Sequence, residues 1–255
     1  MPFETERTQL RVVPPFCLIS ALPKKQALNG YDPAVWGRKI KSRTYGQRLN
    51  EMGPKPKERR MAQSFPVLLV RHAPVLLPEG VCYGRQDVAL RPGWEGLASG
   101  LAVLAQGAVC RVLYSSPAMR CREMAQKLAA ATGMELKIDD RLAELDFGRW
   151  EGMNWQEISR AQLDEWAADP ARFAPPGGES GMALSQRARA FWQDIKDAGV
   201  PACVLSHGGP LRVLSALAEG RQPELLSPSM PQGSARLFMV AQQQGRLAEA
   251  SCAAE

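Results

Sequence analysis

The chain has 255 residues, 45% of them hydrophobic and 23% charged, with a net charge of +6. That is enough apolar mass for one sizeable α/β domain plus an extension. No apolar run approaches the roughly 20 residues that span a bilayer. Arg11–Ile19 is too short and too broken by proline for a secretory leader, and six cysteines with no Cys-x-x-Cys pair read as free thiols of a reducing, cytoplasmic compartment rather than a disulfide framework.

The charge is uneven. Residues 1–63 carry 13 Lys+Arg against 5 Asp+Glu, whereas the remainder carries 19 against 21. A globally basic protein would suggest nucleic acid, but here the positive charge belongs to the first segment and the body is nearly neutral. That segment lacks periodicity and holds Pro14-Pro15, Pro23, Pro33 and Gly53-Pro54-Lys55-Pro56-Lys57. It reads as a basic, unstructured extension. A salt-dependent nucleic-acid arm and a translation start at Met61 are the other readings of it.

From Ser64 the pattern changes. Val67-Leu68-Leu69-Val70 reads as a buried strand ending at Arg71-His72. Pro92 suits the first turn of a helix reaching about Gln106, with Leu97, Leu101 and Leu104 on one face. Val112–Tyr114 reads as a second strand. Ser116 and Pro117 then predict the cap and first turn of a helix to about Ala131. Glu135–Ile138 reads as a short edge strand, and helices are expected at 154–168 and 180–197. Ala202–Ser206 is a third buried strand, His207-Gly208-Gly209-Pro210 opens another helix, and Ala235–Ala241 is a last strand. Alternation of strands and helices predicts an α/β fold, a three-layer α/β/α sandwich with a mainly parallel sheet. The catalytic domain is expected over 64–245, with a tail at 246–255.

Ligands of such sheets sit at the carboxyl ends of the strands. The only two histidines, His72 and His207, both stand there. Arg71, Arg120 and Arg212 are close to the same strand ends, and guanidinium groups match phosphate oxygens bidentately. Gly208 and Gly209 allow close backbone approach at a helix N-terminus, which itself favours anions. The pattern predicts a site for a phosphoryl group. The competing zinc reading lacks a His-x-x-x-His, a cysteine pair or clustered carboxylates. There is no Gly-x-Ser-x-Gly elbow and no Gly-x-x-x-x-Gly-Lys-Ser/Thr loop.

With these residues in hand, the chain resembles the histidine phosphatase, or phosphoglycerate mutase-like, superfamily. Five segments carry the resemblance in the family's order: Leu69–Ala73, Tyr114–Arg120, Leu142–Gly152, Pro176–Ser180 and Leu205–Gly209. It implies that His72 is the phosphoryl-accepting nucleophile. Arg71, Arg120 and His207 would hold the non-bridging oxygens, and Glu144 would be the proton donor to the leaving alcohol. No metal or cofactor is implied. Ala73 stands where the family has Gly, so the turn after His72 must avoid positive φ or bear strain. The loop 80–90 resembles that of α-ribazole phosphatases, which act in cobalamin nucleotide-loop assembly; Tyr83, Gly84, Arg85 and Gly208 would then meet the substrate. General sugar-phosphate or protein phosphohistidine phosphatases, and a phosphate-binding module without turnover, are the alternatives. The expected partner is a small-molecule phosphate ester, with neither membrane nor nucleic acid; the oligomeric state is left open.

Overall fold

The computed structural model describes residues 64–242. The expected basic extension and the C-terminal tail lie outside the described residues. Five strands form one sheet: β1 (Ser64–Arg71), β2 (Val112–Ser115), β3 (Glu135–Ile138), β4 (Ala202–Ser206) and β5 (Ala235–Ala241). Their order is β3-β2-β4-β1-β5. All neighbours are parallel except β5, which runs antiparallel to β1 at the edge. The helices are α1 (Trp94–Gly107), α2 (Met119–Thr132), α3 (Arg160–Ala168), α4 (Gly181–Ala198) and α5 (Gly208–Ala218).

The continuous apolar runs of β1 and β4 follow from burial on both faces. Alternate residues point to opposite sides. Val67, Leu69, Ala202 and Val204 join one core with Phe191, Trp192, Leu211 and Leu214 of α4 and α5. Leu68, Val70, Cys203 and Leu205 join the other with Leu101, Met124 and Leu128 of α1 and α2. These are the two outer layers of the expected sandwich. Leu69 is completely buried, so truncating it to Ala would cost about 2–5 kcal/mol.

Three local expectations are corrected. Helix α1 begins at Trp94, not Pro92, because Gly93 adopts a left-handed conformation (φ 89°) ahead of it. Its buried face is Ala98, Leu101, Ala102 and Ala105, while Leu104 is exposed. Helix α2 begins at Met119 with Ala118 as its N-cap residue, and Ser116 does not cap it. The Asp87 carboxylate instead accepts the Met119 N–H at 2.9 Å. The helix expected over 154–168 is shortened to α3. The Asn154 side chain accepts from Gln156 N–H, Glu157 accepts from Asn154 N–H, and Trp155 N–H donates to Gly80 O. Side-chain competition for backbone partners replaces the first helical turns.

Parallel pairing aligns Arg71 with Ser206 and Ser115 with Leu205. His72, Ser116 and His207 therefore leave three adjacent strands at one edge of the sheet. No described helix is long and apolar enough to cross a membrane.

Candidate active site

The two imidazoles come together. Their ring centroids are 5.1 Å apart, close to the ~4.8 Å that separates neighbouring strands. Both rings are buried, with 1% and 0% exposure. Hydrogen bonding sets their tautomers. His72 Nδ1 lies 2.7 Å from the carbonyl of Ala73, which can only accept, so Nδ1 carries the proton and Nε2 keeps its lone pair. His207 Nδ1 accepts from Arg120 Nε at 3.2 Å, and its Nε2–H donates to Ser116 Oγ at 2.7 Å.

Both rings are neutral near pH 7. Burial, then the Arg120 charge, lowers His72 to about 3, against the opposing pull of the Ala73 carbonyl. Burial and Arg120 also hold His207 well below its ordinary value. A neutral ring with an unprotonated Nε2 is what nucleophilic attack requires. Cys121, 3.6 Å from His207 Nε2, is no rival, because burial pushes its thiol up to about 12. Ala73 escapes strain, since Val109 is the one non-glycine residue with positive φ among the described residues. Its N–H donates to Met124 Sδ at 3.0 Å, which locks the turn that holds His72.

The arginines here have no ion-paired carboxylate. No carboxylate lies within 4 Å of the Arg71, Arg120 or Arg212 guanidinium among the described residues. Arg120 is fully buried and spends Nη1 and Nη2 on the carbonyls of Gln86 and Gly84 at 2.7 and 2.6 Å, under the Tyr83 ring. Arg71 donates from Nη1 to Ser229 Oγ and to Met230 O. Its Nε is the one buried side-chain nitrogen or oxygen without a partner among the described residues. An orphan buried donor is costly, and so are buried cations without a counter-ion. An anion bound at this point would satisfy both.

Glu144 enters after a single 3₁₀ turn, Asp140–Leu142. Its carboxylate accepts from Gly209 N–H, at the start of α5, and from Leu145 N–H, at 3.0 and 2.9 Å. A Cβ on Gly209 would stand 2.3 Å from Glu144 Oε1, and one on Gly208 would stand 3.3 Å from the Arg71 guanidinium. Both glycines serve close approach.

A cleft of about 380 Å³ opens from Arg71 and Glu144 and includes Tyr83, Gly84, Gly208 and Arg212. Its outer wall has Phe147, Trp155 and Trp166, with the two indoles stacked at 5.9 Å. Arg212 is fastened by Nε to Ser227 O at 2.6 Å, and its terminal amino groups have no hydrogen-bond partner among the described residues. Arg85 lines a neighbouring cleft with Asp87 and Arg120, and its guanidinium engages Glu179, Asp146 and the Glu144 carbonyl.

Several contributors are not evident from sequence. Ser116, expected to cap a helix, instead orients His207. Glu151 accepts from the N–H groups of Arg85, Gln86 and Phe147, and so holds the loop that carries Tyr83 and Gly84. Its place in the Trp150-Glu151-Gly152 segment is the available signal. Trp155, expected on a helix, lies in the turn before α3, and with Trp166 on α3 it forms the cleft wall.

Comparison with known proteins agrees with this architecture. The model of the histidine phosphatase superfamily (branch 1) matches residues 67–252. Phosphoserine phosphatase 1 of Hydrogenobacter thermophilus is 29% identical over 154 residues, 58% of this chain and 73% of the relative. Glucosyl-3-phosphoglycerate phosphatase of Mycobacterium tuberculosis is 31% identical over 119 residues, and the match spans 41% of this chain and about half, 52%, of that relative. The α-ribazole phosphatase structure from Shigella flexneri superposes with a TM-score of 0.61 at 22% identity, covering 69% of this chain and 94% of the other. The native structure of mycobacterial glucosyl-3-phosphoglycerate phosphatase gives the same score and identity, covering 69% and 90%; at this identity both likenesses speak to fold alone. With the family match running over most of its length and the paired histidines at adjacent strand ends, the chain belongs to the histidine phosphatase superfamily.

Proposed function

We propose that this superfamily phosphatase hydrolyses a small phosphate monoester through a phosphohistidine on His72. The observation that carries the reading is the orphaned Arg71 Nε beside a neutral His72 whose Nε2 lone pair is uncommitted. In the first step His72 Nε2 attacks phosphorus, the P–O ester bond breaks, and the Glu144 carboxylic acid gives its proton to the departing alkoxide. In the second, water attacks phosphorus, Glu144 takes its proton, and the P–N bond breaks to release phosphate. Arg71 and Arg120 neutralise the phosphoryl charge, and His207 orients an oxygen by turning its Nε2–H from Ser116 to the bound group, which together supply the positioning and charge stabilisation such transfers need. Rapid mixing of enzyme and ester should trap an acid-labile, base-stable phosphoenzyme; a His72→Asn variant that still forms it would sink the assignment.

For the leaving group, we favour α-ribazole 5′-phosphate. The aromatic wall of Phe147, Trp155 and Trp166 suits a flat, apolar base, and the 80–90 loop resembles that subgroup. A second reading has its own support. Arg212, beside Arg71 in the cleft, suits an ester that carries a carboxylate near the phosphate, as phosphoserine does. A kcat/KM screen of α-ribazole 5′-phosphate, phosphoserine and simple sugar phosphates separates them. A phosphoserine preference of about tenfold or more, some 1.4 kcal/mol, would end the ribazole reading.

A further inference from the structure

The Glu144 loop is held by a buried clamp. Arg187, on α4, has all five of its guanidinium donors satisfied. Its Nη1 reaches Arg141 O at 2.7 Å and Ala143 O at 2.5 Å. Its Nη2 reaches Glu144 O at 3.0 Å and Glu179 Oε2 at 2.9 Å, and its Nε reaches Glu179 Oε1 at 2.8 Å. The remaining carbonyl of the stretch, Leu142 O, accepts from Ser206 Oγ at 2.7 Å, on the residue before His207. Every carbonyl from 141 to 144 is therefore anchored, three of them by one side chain. Glu179 also accepts from Arg85 Nη2 at 3.1 Å, and Arg85 Nε gives a second hydrogen bond to Glu144 O at 3.2 Å. The Arg187 and Glu179 side chains are 15% and 13% exposed, so the pair is shielded from solvent and holds a fixed fork geometry.

We infer that Arg187 and Glu179 are positioning residues for proton transfer, holding the Glu144 backbone so that its carboxyl meets the leaving oxygen. Neither side chain lines the two clefts beside Glu144; the pair acts through the loop. This rests on Glu144 as the proton donor. Misplacement by a fraction of an ångström at such a group costs rate without abolishing binding.

The consequence is selective. An aryl ester such as p-nitrophenyl phosphate leaves as a stabilised phenolate and needs little proton donation. An alkyl ester such as 2-phosphoglycerol leaves as a strongly basic alkoxide and needs it fully. Since kcat/KM covers only the steps up to formation of the phosphoenzyme, comparison of the two esters isolates the leaving-group step. Glu179→Gln, which is isosteric, and Arg187→Lys, which keeps the charge but loses the fork, should each lower kcat/KM for the alkyl ester about tenfold or more. The aryl value should stay within about threefold. Equal losses on both esters, or none on either, in variants with cooperative unfolding would overturn the clamp. Glu144→Gln serves as reference. If its own loss is not confined to the alkyl ester, Glu144 is not the donor and the clamp's role falls with it. If its loss is confined and those of the clamp variants are not, the clamp alone is wrong.

Discussion

The chemistry of single residues here is set by what their neighbours can accept. Two chemically identical imidazoles take opposite tautomers: the Ala73 carbonyl forces the proton onto Nδ1 of His72, while Arg120 forces it off Nδ1 of His207. The two rings thereby divide into a lone-pair carrier and an N–H donor, which Ser116 engages here. Arg212 offers a test at the same scale. A hydrogen bond to a charged group contributes about 1.5–3 kcal/mol. If a carboxylate of the substrate meets Arg212, Arg212→Met should lower kcat/KM at least about tenfold for phosphoserine while a neutral ester is little affected. Equal kcat/KM ratios for the two esters in wild type and variant would remove Arg212 from substrate recognition.

At the scale of elements, the start of α5 makes a close approach to the Glu144 carboxylate. Gly209 N–H binds the Glu144 carboxylate, and a methyl group at that position would occupy the place of the oxygen. Gly209→Ala should therefore move the carboxyl and lower alkyl-ester kcat/KM by about tenfold or more, with stability measured in parallel. Gly100 is the opposite case: it lies in the middle of α1, and a Cβ added there would meet nothing within 4 Å. Gly100→Ala should stabilise by about 0.4–1 kcal/mol through the unfolded chain and leave kcat/KM unchanged, as urea denaturation and steady-state assays would read. The α1 register also shows where periodicity misleads. Leu104 fits a helical stripe, yet the face that packs is mostly alanine, because α1 lies close against α2.

For the whole molecule, burying two neutral histidines couples folding to acid. The folded values lie below the unfolded value of about 6.5, with His72 near 3. As pH falls through 6.5 the unfolded chain gains two protons and the native chain gains none. Unfolding free energy should then drop by up to ~1.4 kcal/mol per pH unit for each histidine, from about pH 6.5 downward. Between pH 6.5 and 5 this loss precedes that from carboxylates such as Asp139, where burial is outweighed by the Arg141 hydrogen bonds that hold the group below its usual range. Urea midpoints at pH 7, 6 and 5 would show it, and a flat profile would mean that the native rings are charged. Catalysis by guanidinium and imidazole groups also predicts that EDTA leaves kcat/KM unchanged; loss restored by a divalent ion would contradict it.

Much of this is legible in the amino-acid sequence alone. The apolar runs of β1 and β4 announce doubly covered strands, since no other environment tolerates unbroken hydrophobic stretches of that length. Histidines directly after such runs fall at carboxyl ends by the geometry of a parallel sheet, so His72, His207, Arg71 and Arg120 can be singled out from one chain. What pattern cannot supply is adjacency. Strand order puts β1 beside β4 and β2 on its far side, a choice made by the packing of both cores, and it alone turns three distant segments into one site. Ser116 illustrates the limit. Local pattern reads it as a helix cap, and a hydroxyl cannot signal that a ring 91 positions away will compete for it. The same holds for Arg187, whose five hydrogen bonds reach partners from 8 to 46 positions away. Local propensity and patterning fixed the elements and the residue types at their ends; the non-local hydrogen bonds, which depend on how those elements pack, determined protonation, orientation and which carboxylate is held for the reaction.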